Sequence, residues 1–109
     1  MYPGSMLTAR VVNGVVTAAG VRPGKMFGMP SVFLGGKSVA GLYGDDMVFK
    51  LGPIALEKAL KLQGVRLFDP AGGRPMKAWA QVPPAHSRRW AEFARSAVEA
   101  AEGQAARAE

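Results

Sequence analysis

Three short runs rich in β-branched and aromatic residues, at 31–34, 39–43 and 47–51, are separated by Gly35-Gly36 and by Gly44-Asp45-Asp46. Glycine supplies the positive φ that a tight hairpin requires, and aspartate beside it favours the same turn. Two such turns in succession commit this stretch to three antiparallel strands. A sheet of that kind must bury its apolar face against another layer, and the rest of the chain offers helices for the purpose. Gly52-Pro53 predicts a helix start, because proline is tolerated at the first helical position, and Gly64 predicts its stop. Leu56, Ala59, Leu60 and Gln63 trace its inward side, while Lys58 and Lys61 face water. Residues 65–69 read as a short strand, 70–74 as a glycine-rich turn and 76–82 as a further strand bounded by prolines. From Ala85 onward, Trp90, Phe93, Ala94, Ala97, Val98 and Ala101 recur at intervals of three and one, the spacing of an amphipathic helix.

Residues 6–19 carry two patterns. Val11-Val12-Asn13-Gly14-Val15-Val16 has the signature of a two-residue hairpin, whereas Leu7, Val11, Val15 and Ala18 fall on one helix face between Ser5 as a cap and Gly20 as a stop. With the helix taken, the expected order is α-β-β-β-α-β-β-α: an α+β fold with a small, mainly antiparallel sheet packed by helices. One domain over 6–102 is expected, with a loose end at 1–5 and a flexible, alanine-rich tail at 103–109. The 109 residues are 49% apolar and 20% charged, which is ordinary for a globular chain. No apolar stretch approaches the ~20 residues of a membrane span, and no positively charged leader precedes the first apolar run. A cytoplasmic location without membrane contact is the expectation. The absence of cysteine removes disulfides and thiolate chemistry together.

Candidate chemistry is sparse. Gly35-Gly36-Lys37-Ser38 looks like the end of a phosphate-binding loop, but Ser31 stands where that loop needs glycine, and a strand follows where it needs a helix. Asp45 and Asp46 are adjacent, with no third acidic residue nearby to complete a hard-metal site, and read as a turn. His86 is the sole histidine, which excludes a multi-histidine zinc centre. Ser87 beside it lacks the orienting acid that a nucleophile–base pair needs. No catalytic, cofactor-binding or metal-binding residue is expected, and no cofactor.

Charge is more informative. The formal charge is +6, and within 54–95 eight basic residues face three acidic ones, Glu57, Asp69 and Glu92. Arg88 and Arg89 stand where the last helix is expected to begin, a position at which cations oppose the helix dipole. Together with Arg74 and Lys77 they form the candidate contacts for an anion or nucleic acid. Trp90 lies on the apolar stripe and is expected in the core, while Trp79 is free to face either way, including toward a stacked base.

Lys25-Met26-Phe27-Gly28, the Gly-Lys hairpin, Gly41-Leu42-Tyr43-Gly44-Asp45, Val48-Phe49-Lys50-Leu51, Leu67-Phe68-Asp69-Pro70, Gly73-Arg74-Pro75-Met76-Lys77 and Trp79 together resemble the TfoX N-terminal domain family. The resemblance spans about 8–101 and implies an α+β fold that opens on a helix, with Met26 and Phe27 as core anchors. It also implies a regulatory role, since the namesake proteins act in DNA-uptake competence at the level of transcription and carry a second, C-terminal domain. That second domain has no counterpart in these 109 residues. In size and layout the chain is more distantly similar to YjbR-like small proteins, proposed to bind DNA. No family catalytic residue exists to carry over. The expected function is a non-enzymatic regulatory or interaction domain that binds a protein partner or a second copy of itself. The alternative is nucleic-acid binding through the basic surface, followed by small-molecule binding.

Overall fold

The computed structural model describes residues 21–26 and 29–108. They form a six-stranded, wholly antiparallel sheet and two α-helices, the α+β class expected from the sequence. The strands are β1 (Val21–Met26), β2 (Met29–Leu34), β3 (Lys37–Tyr43), β4 (Asp46–Lys50), β5 (Arg66–Phe68) and β6 (Met76–Val82). Helix α1 (Pro53–Leu60) joins β4 to β5, and α2 (Trp90–Ala108) ends the described chain. In space the strands lie in the order β1-β2-β3-β4-β6-β5, so β6 inserts between β4 and β5.

Two-residue turns make the hairpins. Leu34 pairs with Lys37 around Gly35 and Gly36, whose φ values of 60° and 80° fit a tight turn of the hand that suits strand twist. Tyr43 pairs with Asp46 around Gly44, φ 61°, and Asp45. One residue is inserted in β3: Phe33 pairs with Ser38 and Val32 with Ala40, leaving Val39 between them. This bulge allows consecutive residues Val39 and Ala40 to enter the same core, 1% exposed each.

That core lies between the sheet and α2. Leu42, Met47, Phe49, Leu51, Ala80 and Val82 meet Trp90, Phe93, Ala94, Ala97 and Val98 of the helix. The five helix residues are those named by the sequence periodicity, and Ala101 completes the stripe half-buried. Phe49 and Phe93 contact each other with ring centroids 5.7 Å apart. A second cluster, Met29, Val48, Phe68 and Trp79, joins residues of β2, β4, β5 and β6. Phe68 is its centre, 5.1 Å from the Tyr43 ring edge-on and 6.5 Å from Trp79.

Three expectations change. Residues 21–26 form a strand, so β2 is the second strand of the described order and not the first. Its sequence, Val-Arg-Pro-Gly-Lys-Met, lacks apolar alternation; pairing along all six positions with β2 makes it a strand. Helix α1 stops at Leu60, short of Gly64, and Leu60 is exposed while Leu62 packs on the core from the turn that follows. Arg88 and Arg89 belong to a 3-10 segment, Pro84–Arg89, ahead of α2. His86, at φ −109° and ψ 24°, departs from helical geometry and kinks that segment, so that Ser87, Arg88 and Arg89 follow the kink and lead directly into the helix at Trp90. The helix-or-hairpin choice over 6–19 and the anchor role of Met26 and Phe27 lie outside what the structure describes.

Candidate functional site

Antiparallel pairing gathers strand starts and strand ends. The start of β3, the end of β4 and the start of β6 therefore share one end of the sheet, and each carries a lysine: Lys37, Lys50 and Lys77. Helix α1 begins at the same end, because only Leu51 and Gly52 separate it from β4. Between this end and α2 runs a groove of about 370 Å³. Leu51, Leu56 and Ala78 line it from the sheet and α1, and Ala97, Ala100 and Ala101 from α2, with the three lysines among its walls. No acidic residue lines it, and none of the three lysines is ion-paired among the described residues. Ser38 is also a lining residue, and its buried hydroxyl has no hydrogen-bond partner among the described residues.

The start of α1 adds to the positive character. Gly52 caps it without a side-chain hydrogen bond, Pro53 has no amide hydrogen, and no acidic residue occupies the first turn. The positive end of that helix is thus uncompensated by a carboxylate of its own. A second groove of about 420 Å³ lies between the two helices, on the other side of Ala100, Gly52 and Pro53. Its charges are mixed, with Lys58 and Arg89 set against Glu92 and Glu99.

The four residues singled out from the sequence do not form one patch. Arg74 and Lys77 precede or open β6, whereas Arg88 and Arg89 follow its far end. From Lys77 the strand runs five more residues to Val82, roughly 16 Å at ~3.3 Å per residue. Arg89 is moreover engaged: Nε and a terminal nitrogen donate to the two carboxylate oxygens of Glu92, both at 3.2 Å, and its guanidinium lies 5.4 Å from the Phe93 ring centroid. The pair raises the Arg89 pKa and lowers that of Glu92. The Arg74 amide donates at 3.3 Å to Asp69, which also accepts from the Gly73 amide at 2.8 Å. Chiefly the Gly73 hydrogen bond holds the Asp69 carboxyl below the usual aspartate range. Both tryptophans are buried, Trp79 6% and Trp90 3% exposed, so neither face is open to a stacked base.

Sequence reasoning passed over Lys37 and Lys50. In the sequence Lys37 sits beside a hairpin turn and Lys50 within a strand run, and neither position by itself marks a site. The signal that finds them is topological: a lysine just after one hairpin turn and a lysine at the end of the next strand share a sheet end. His86 takes a structural place, donating from Nε2 to the Gln63 carbonyl at 2.8 Å and tying the 3-10 segment to the turn after α1. Asp46 accepts from the Gln81 side chain at 2.6 Å instead of standing free in a turn. Among the described residues no group of three or more histidine, aspartate or glutamate side chains gathers as a metal site. No described helix is long and apolar enough to cross a membrane. No protein-family model, curated protein or solved structure matches the chain, so the TfoX resemblance rests on the motif residues themselves.

Proposed function

We propose that the protein is a non-enzymatic binding domain whose recognition surface is the lysine-lined groove at the α1 end of the sheet, and that it takes an anionic partner there. One observation carries the reading: Lys37, Lys50 and Lys77, distant in sequence, line a single cavity that no acidic residue lines. A lysine is a flexible point charge on a four-carbon stem, so all three can turn toward one anion. The proposal keeps the non-catalytic, regulatory character that the TfoX resemblance implies and places the contact away from Arg88 and Arg89. Self-association through sheet edges has less support, since β5 is three residues long and β1 carries Pro23, both features that blunt edge pairing.

Nuclear magnetic resonance tests the site with small anions. Titrating the isotope-labelled chain with acetate or inorganic phosphate is expected to move the amide resonances of Lys37, Lys50, Gly52 and Lys77 first. Shifts confined to Arg88 and its neighbours, or spread evenly over all exposed cations, contradict the reading. Nucleic acid is the competing partner. Anisotropy of labelled duplex and single-stranded DNA at about 50 and 200 mM salt exposes it, because phosphate contacts make affinity fall steeply over that range.

A further inference from the structure

Resting on the groove as the binding surface, we infer that its occupant is a small amphiphile: one anionic head, carboxylate or phosphate, on a short apolar chain. The floor argues for the chain. Ala97, Ala100 and Ala101 stand at i, i+3 and i+4 of α2, so they present one continuous face to the groove, and Ala78 meets it from β6. Larger residues at these positions would fill the space between helix and sheet; alanine leaves it open and apolar. Leu51 and Leu56 extend the same surface.

The walls argue for the head. Three lysines in the walls, a helix start without a side-chain cap or first-turn acid, and the absence of any lining carboxylate give one sign of charge around an apolar floor. The groove between the helices is the internal contrast, for there Glu92 and Glu99 offset Lys58 and Arg89. Size points to a small molecule. At about 370 Å³ the cavity is at the lower end of the roughly 300–1,000 Å³ range of ligand pockets.

Calorimetric titration of the purified chain with acetate, butyrate, hexanoate and octanoate, and with octyl phosphate beside inorganic phosphate, tests this. Dissociation constants are expected to fall about fourfold per buried methylene until the groove is full, the equivalent of ~0.8 kcal/mol each. Chain-length dependence with either head supports the inference, and the stronger head identifies the source of the anion. Ala100→Phe, at a half-buried position that need not disturb the fold, is expected to abolish the chain-length dependence and leave weak acetate binding. Ala101→Leu, a smaller intrusion, is expected to shorten the longest chain that gains affinity. Octanoate binding no tighter than acetate, with the lysine amides still shifting, overturns the amphiphile and leaves the anion-binding groove standing. No binding and no shift with any of these anions overturns both.

Discussion

At Gly41 strands β2 and β3 approach too closely for a side chain. A β-carbon there would lie 2.8 Å from the Ser31 hydroxyl, 3.0 Å from the Met29 terminal methyl and 3.2 Å from the Pro30 carbonyl. The Pro30 oxygen belongs to the backbone and cannot swing away. Gly41→Ala is therefore expected to lower stability by about 1–3 kcal/mol, the usual cost of overpacking, read from the urea midpoint. Asp69 supports a different prediction. Its folded pKa is depressed, so its contribution is complete above the unfolded value of ~3.9 and is lost as pH falls through the lower folded value. Asp69→Asn should be less stable than the parent near pH 7, with the gap closing below about pH 3.9; a gap that is constant with pH contradicts the assigned role. Of these two residues the sequence showed the turn around Asp69 and hid the constraint on Gly41. Turn residues act on their neighbours, whereas the crowding at Gly41 depends on cross-strand register, which no local pattern encodes.

The elements divide in the same way. Helix α2 was legible because its buried stripe repeats along its own axis, and Phe93 sits at the middle of that stripe, 3% exposed against Phe49. Phe93→Ala is expected to cost about 3–5 kcal/mol in chemical denaturation. Strand β1 was hidden because its stabilisation comes from its neighbour. The Phe33 ring lies across Gly24, 2.7 Å from where a β-carbon would be, and takes the place of the missing side chain. Phe33→Ala should speed amide exchange across β1 by up to about fivefold, the scale of a lost cross-strand pair, with little change in α2. Arg88 and Arg89 stand in a 3-10 turn that leads directly into α2, not in the α-helix itself, for a local reason. Pro83-Pro84 and the non-helical His86 delay the helix to Trp90, where Glu92 supplies the first-turn acid and binds Arg89. An exposed, solvent-screened pair of this kind contributes little, so it explains the position of Arg89 without being important to the fold.

For the whole molecule, the consequence of antiparallel order is a charged end. The sequence gives an excess of cations along 54–95, but the grouping that matters combines Lys77 with two lysines outside that range, through hairpins that return the chain to the same edge. Of the four cations singled out from the sequence, Arg74 and Lys77 lie at one end of β6 and Arg88 and Arg89 beyond the other. Net charge alone cannot distinguish these arrangements, and a charge-matched comparison can. The direct measurement is the octanoate affinity of two variants, each lowering the formal charge by three: Lys37→Gln with Lys50→Gln and Lys77→Gln, and Arg66→Gln with Arg88→Gln and Arg95→Gln. The groove account predicts a loss of about two- to fivefold per lysine in the first and an affinity near that of the parent in the second. Equal losses in both, or a larger loss in the second, would show that the anion answers to overall charge and that the groove is not its site.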